Sequence, residues 1–247
     1  MRLRLGVLIV VGVVFVTAQA HALTMDIPVT ADALVYHVNP DVDGTNYGAD
    51  EVLYSGWLGN GGEQWSMVQA FFTYLKFDLS ALSEWGSVTK AEMRMYVFVV
   101  AYYDTNPHRF GVYSVADDSW QEMQVTWNTK PDYAPTPLSE QQLTKTGGSD
   151  LGWVSWDVTG KAGNQAAGDG LLSLALVPNA QDSQQYGRDL MWGWSKEHLV
   201  GGQPIYGPYL HVEGTEAGSA VPEPASLALL GLACGAIATM VKRRRKA

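Results

Sequence analysis

Cysteine is almost absent from this 247-residue sequence: there is one, Cys234. A lone cysteine closes no intramolecular bridge, which excludes a disulfide scaffold and a CxxC redox or zinc motif. HExxH, GxSxG and the Walker loop are missing too, and with them the simplest routes to metalloprotease, serine hydrolase or nucleotide chemistry. The five histidines are scattered at 21, 37, 108, 198 and 211. Paired carboxylates for glycoside hydrolysis leave no signature, because folding can bring any two together. Positive charge is scarce in the middle of the chain. Residues 23–220 hold 9 Lys+Arg against 24 Asp+Glu, a net −15. Such a surface disfavours nucleic acid and anionic membrane, and offers carboxylates to divalent cations. At 47% hydrophobic residues, the chain has ample material for a folded core and is no disordered tail.

Long apolar runs occur only at the two ends. Arg2 and Arg4 precede the apolar run Leu5 to Val16, and Ala18-Gln19-Ala20 or Ala20-His21-Ala22 offers the small-x-small pattern of signal peptidase cleavage. Residues 1–22 therefore read as a secretory signal; the run is short for a membrane span, which needs about 20 residues. At the other end Val221-Pro222-Glu223-Pro224 leads into the apolar stretch Ala225 to Val241, followed by Lys242-Arg243-Arg244-Arg245-Lys246. The stretch sits at the lower limit of a spanning helix, and the basic cluster favours the cytoplasmic side, which leaves the body outside. Pro222 and Pro224 keep the motif extended.

This tripartite tail, residues 221–247, resembles the PEP-CTERM sorting signal of Gram-negative bacteria. The resemblance implies cutting near Pro222, Glu223 and Pro224 by an exosortase-type membrane peptidase. The protein would be held transiently at the inner membrane, then delivered to the cell surface or extracellular matrix, often in exopolysaccharide-producing species.

Between the ends the pattern is all-β. Strand signals fall at Ala33 to Val38, Glu51 to Trp57, Ala70 to Phe77, Ala91 to Tyr102, Arg109 to Val115, Trp153 to Val158, Leu171 to Val177 and Tyr209 to Glu213. Turn clusters such as Asp43-Gly44, Gly59-Asn60-Gly61-Gly62 and Asn106-Pro107 separate them. Short helices are expected over Leu79 to Trp85 and after Asp157-Val158-Thr159. Ser139 to Asp150 reads as a loop, and 214–220 as a linker to the tail. Many short strands without βαβ alternation point to a sandwich. Alternation sets Met93, Met95, Val97 and Val99 toward the core, and Arg94, Tyr96, Phe98, Val100 and Tyr102 away from it. Leu75 and Phe77 are the core pair of the Phe72–Phe77 strand, with Phe72, Tyr74 and Lys76 on its other face.

Several motifs occur in order across residues 30 to 213. They are Ala31-Asp32-Ala33, Thr45-Asn46-Tyr47-Gly48, Leu75-Lys76-Phe77-Asp78-Leu79-Ser80, Asp118-Ser119-Trp120 into Val125-Thr126-Trp127-Asn128, Trp153-Val154-Ser155-Trp156-Asp157 and Pro208-Tyr209-Leu210-His211-Val212. Together they resemble the DNRLRE domain, also described as a disaggregatase-related carbohydrate-binding module. The resemblance implies a jelly-roll β-sandwich over 23–213 and a polysaccharide partner, notably acidic polysaccharide of the alginate type. Two departures stand out: Lys76 occupies a position where arginine is common, and no catalytic domain accompanies the module.

The residues themselves offer a matching site. Sugars are held by stacking C–H faces on aromatic rings, with polar groups on their hydroxyls. Tyr74, Tyr96, Phe98 and Tyr102 supply rings, and Lys76 and Arg94 supply cations for uronate carboxylates. Met191-Trp192-Gly193-Trp194 places two indoles, Trp192 and Trp194, in an expected loop. Trp57 and Trp65 flank a Gly-rich loop. Trp120 and Trp127 read as packing at one end of the sandwich, and Asp78 and Asp157 as caps of short helical turns. A structural calcium site is suggested by Asn39, Asp41, Asp43, Gly44 and Asp50, whose spacing follows a calcium loop although the flanks read as strand. Three readings remain: a non-enzymatic surface module that binds polysaccharide, a structural biofilm or adhesion protein with no specific glycan, and a small lyase or hydrolase. The first requires exposed rings beside Lys76 and Arg94, the second buried rings, and the third a deep cleft with convergent acid and base groups.

Overall fold

A computed structural model describes residues 22–38, 40–59, 67–102, 108–144, 150–179 and 188–217. Almost all belong to one unit, Ala22–Glu216; the second unit, Met1–His21 with Ala217–Ala247, lies outside the described residues except for Ala217. The signal and sorting segments are among the residues not described. No helix among the described residues is long and apolar enough to cross a membrane.

The described residues form eleven strands: β1 Ala22–Pro28, β2 Ala31–His37, β3 Val52–Gly59, β4 Met67–Asp78, β5 Trp85–Tyr102, β6 His108–Val115, β7 Ser139–Leu143, β8 Gly152–Asp157, β9 Leu171–Pro178, β10 Arg188–Trp194 and β11 Tyr209–Glu216. They join in one sheet, ordered β1-β11-β5-β10-β3-β4-β9-β6-β7, with β2 on β4 and β8 on β5. Every pairing is antiparallel. Two long strands make the sheet curl. On β4, the side opposite β2 carries β3 on its first half and β9 on its second. On β5, β11 and β10 share one side while β8 takes the other. All eleven strands then turn one face to a common core, including Ile27, Leu34, Leu53, Phe77, Met95, Phe110, Leu143, Trp156, Leu174, Met191 and Leu210.

Alternation decides which side chains reach that core. Met93, Met95 and Val97 are fully buried, as are Leu75 and Phe77. The phase then breaks. Trp192 pairs with Val99 and Gly193 with Val97, so Phe98 is an extra residue opposite β10. That bulge shifts the parity by one, and Val100 is buried in the core while Val99 is half-buried, the reverse of expectation. Trp156 is fully buried, and its Nε1 donates to Phe110 O at 2.8 Å. Burying a side chain of this kind contributes roughly 1.5–3 kcal/mol.

Three strands carry weak sequence signals. β7 (SEQQL) is polar and buries only Leu143. β1 lies at the sheet edge against β11 and begins at Ala22, inside the small-x-small segment. β10 includes Met191-Trp192-Gly193-Trp194, so the two indoles stand on a strand and not in a loop. β11 runs to Glu216, so strand takes the first residues of the expected linker. The first expected helix shrinks to a 3-10 turn, Ser80–Leu82, and the second is Thr159–Ala166. Asp78 Oδ1 accepts from Ser80 N, and Asp157 Oδ1 from Thr159 N, both at 2.9 Å, so these aspartates serve the turns as expected.

Candidate functional site

The outer face of β5, β8, β10 and β11 carries the rings that alternation turned away from the core. Tyr96 pairs across with Trp153 on β8, and their rings meet edge to face at 5.5 Å. Trp153 meets Tyr209 of β11 at 4.9 Å. In the other direction Phe98 stacks on Trp194 at 4.2 Å and touches Trp192 at 6.2 Å. The segment 195–208, between β10 and β11, closes the gap: His198 stacks on Trp194 at 3.7 Å and Tyr206 packs on Tyr96 at 4.5 Å. Rings thus run without interruption from Tyr209 through Trp153, Tyr96, Tyr206, His198, Trp194 and Phe98 to Trp192. Most are half-buried; Trp153 is 43% exposed, and Leu151, Leu199, Val200 and Ile205 are exposed along the chain beside these rings. Gly193 is required between the two indoles, because a Cβ there would run into the Met95 side chain and the Tyr96 carbonyl.

Polar groups border the rings. Tyr96 Oη donates to Asp150 Oδ2 at 2.9 Å, and this bond raises the phenol pKa. Arg94 donates through Nη2 to Glu92 Oε2 at 2.5 Å and through Nη1 to Tyr209 Oη at 3.3 Å. Burial opposes the guanidinium charge, but the bonds to Glu92 and Tyr209 outweigh it and raise its pKa. The hydrogen bond from Arg94 holds the Glu92 carboxyl below its usual range. Trp192 Nε1 is buried without a hydrogen-bond partner among the described residues, so this ring offers contact area and no donor.

Arg94, Tyr96, Phe98, Trp192 and Trp194 therefore come together. Tyr74 and Lys76 do not join them. They lie on the outward face of β4 beneath the segment 116–138, in a second core with Val35, Phe72, Trp120 and Val177. Tyr74 is fully buried, donates to Pro131 O at 2.7 Å, and its pKa is raised, first by burial. Lys76 Nζ donates to Asp118 O at 2.7 Å and Trp120 O at 2.5 Å, and sits 4.4 Å from the Trp120 ring. Burial lowers its pKa. Both residues fix a covering loop. Other motif residues do the same: Asn46 Nδ2 donates to Glu122 O and Val125 O, each at 2.7 Å, and Trp120 Nε1 to Ser173 Oγ at 3.1 Å. The Tyr102 side chain and Trp65 lie outside the described residues.

The acidic loop is arranged locally. Pro40–Asp43 forms one helical turn. Asp43 accepts from His37 Nδ1 at 2.8 Å and Val38 N at 3.2 Å, while Asp41 and Asp50 are exposed and Asn39 is not described. Elsewhere Asp32, Glu122 and Glu197 bring carboxylate oxygens within 4.8 Å of one another. The Lys196 ammonium already sits among them, 2.7 Å from Glu122 Oε1 and bonded to Glu197.

Sequence reasoning missed Trp153, His198, Tyr206 and Tyr209. Trp153 was legible in principle, because it has the opposite parity to the buried Trp156 on one strand. His198 and Tyr206 carry no such signal, since they reach the face from a loop.

Residues 24–189 match carbohydrate-binding module family 96, and residues 220–246 match the PEP-CTERM protein-sorting motif. No curated protein matches the chain. The first match covers more than half of the sequence, and the chain belongs to carbohydrate-binding module family 96. The DNRLRE name is not established by these matches. Membership points to carbohydrate binding rather than catalysis, and the sorting motif points to export with membrane anchoring in a Gram-negative bacterium.

Proposed function

We propose that this exported module, whose curled sheet we read as a jelly roll, holds a polysaccharide chain along the outer face of β5, β8, β10 and β11, and that an exosortase-type peptidase processes its tail. The uninterrupted run of rings from Tyr209 to Trp192 supports this reading. Half-buried rings beside exposed apolar side chains on a strongly acidic protein are a costly surface to leave in water without a ligand. The rings are fixed by sheet register and by stacking on one another, so little side-chain freedom is lost on binding. Arg94 is neutralised by Glu92, so this face selects for ring shape more than for charge. Tyr96, Tyr206 and Tyr209 hydroxyls, Asp150 and Arg94 supply the directional contacts that sugar hydroxyls need.

Affinity electrophoresis tests the proposal. The protein is run through gels containing a neutral β-glucan, alginate or the host's own exopolysaccharide. Retardation is expected in at least one gel, and Trp153→Ala should abolish most of it. A wild-type protein unretarded in all three gels removes the reading and leaves the structural-matrix alternative.

A further inference from the structure

The covered face of the sheet carries a cleft of about 530 Å³ lined by Trp57, Phe72, Trp127, Lys130, Asp132 and Tyr133, with Pro131. Its size falls within the range of small-ligand sites; it is open to solvent, and polar atoms make up as much of its exposed lining as apolar ones. Phe72 is the buried floor and meets Trp57, Trp127 and Tyr133 at 5.3, 5.0 and 5.8 Å. These rings belong to the second core, whereas the Tyr209–Trp192 rings lie beyond the first. The two sites thus share no residue, the cleft being built on β3, β4 and the segment 116–138.

Lys130 gives the cleft its chemistry. Its Nζ lies 4.1 Å from the Trp127 ring centre and donates to Trp127 O at 3.3 Å. An ammonium has three donors, so this bond leaves N–H groups for an anion. Burial lowers the Lys130 pKa, and Asp132 and Asp43 act against that loss of charge. Partial desolvation beside the Trp127 ring strengthens a charge-assisted hydrogen bond from this cation over its worth in open water. The ring run also carries a cation, Arg94, but one bonded to the Glu92 carboxylate through two nitrogens.

We infer that this cleft is a second saccharide subsite, that it takes a single pyranose unit bearing an anionic group against Lys130, and that the module can therefore hold two chains at once. The two-chain part rests on the polysaccharide-binding reading above; the cleft itself does not.

A sandwich experiment separates the two. Full-length protein in detergent, at one protein per micelle, is captured on immobilised neutral β-glucan and then exposed to fluorescent trigalacturonate. Wild type should capture the trimer. Lys130→Met keeps the length and apolar stem of the side chain, so it should bind the glucan surface as before but capture roughly tenfold less trimer or worse. Lys130→Arg should retain most of the capture. Equal capture by wild type and Lys130→Met overturns the inference, as does equal loss in the Met and Arg variants, or elution of the protein from glucan by excess trimer, which would mean one shared site. If no variant binds the glucan surface, the two-chain part of the inference is overturned, while the cleft is still judged by fluorescence anisotropy of the trimer in solution. There, wild type must bind and Lys130→Met must not.

Discussion

The curled sheet has two outward faces, and both are rich in aromatic side chains set by strand alternation. On β4, Phe72 and Tyr74 lie under the segment 116–138. On the other face, among the described residues, the shorter segment 195–208 sets Tyr206 on Tyr96 of β5, and Trp153 of β8 stays 43% exposed. Alternation alone cannot distinguish these faces, because it reports parity and not what lies above the sheet. What separates them is long-range anchoring. Tyr74 Oη, Lys76 Nζ and Asn46 Nδ2 each bind a backbone carbonyl of the covering segment. A carbonyl acceptor leaves no trace in a sequence, so side chains that look like binding groups turn out to be fasteners.

The largest expected effect comes from breaking the cover. Trp120 is buried, donates to Ser173 and packs its ring against the Lys76 ammonium. Trp120→Ala should cost about 3–5 kcal/mol of stability, the usual penalty for emptying a large aromatic site. Urea denaturation measures it, and a loss below about 1 kcal/mol would show that the segment 116–138 is not held through this indole. The same change should not touch the rings of β5 and β8 directly. Retardation in the polysaccharide gels should therefore persist, well below the denaturation midpoint, in whatever fraction stays folded.

Trp153→Ala is the counterpart on the open face. Trp153 and Trp156 stand on one strand with opposite parity, 43% exposed and fully buried respectively. Removing the exposed indole should alter stability by only about 0.5 kcal/mol, as surface substitutions usually do, while polysaccharide retardation falls. A thermal melt beside the gel assay checks the pair of outcomes. A large loss of stability without loss of retardation would make the open face a structural one.

Much of this was readable without coordinates. The core phase of β4 and of the first part of β5 follows from alternation, and Asp78 and Asp157 follow from local capping chemistry. The rest depended on geometry that is not periodic. One bulge at Phe98 moved Val100 inward. β7 has no hydrophobic pattern because it sits at an edge and buries one leucine. His37 and Asp43 found each other across the acidic loop, so a spacing that resembles a calcium motif also serves a local hydrogen bond. The ring run itself is assembled from β5, β8, β10, β11 and a loop, whose adjacency is fixed only by the sheet order.

One cluster ties the two faces together, and its effect is the subtlest to measure. Asp32 N donates to Glu122 Oε1 in the covering segment at 2.8 Å, and Asp32 Oδ2 accepts from Lys196 N in the 195–208 segment at 2.9 Å. Burial pushes the Asp32 carboxyl up from 3.8 to about 8, with the charge of Glu197 adding to the rise and the bond and charge of Lys196 working against it. A folded pKa above the unfolded one means the protonated carboxyl favours the native state. This contribution is complete below about pH 4 and is lost as pH rises through about 8. Asp32→Asn keeps one acceptor and one donor in place but cannot ionise. Its melting temperature should match the wild type near pH 4, gain on it progressively up to about pH 8, while the unfolded carboxyl is ionised and the folded one is not, and hold a constant lead above that. Parallel melting profiles between pH 4 and 8 would mean that Asp32 is already ionised in the fold, with Lys196 and not a proton satisfying the cluster. The fastening of both segments would then depend on salt rather than on pH.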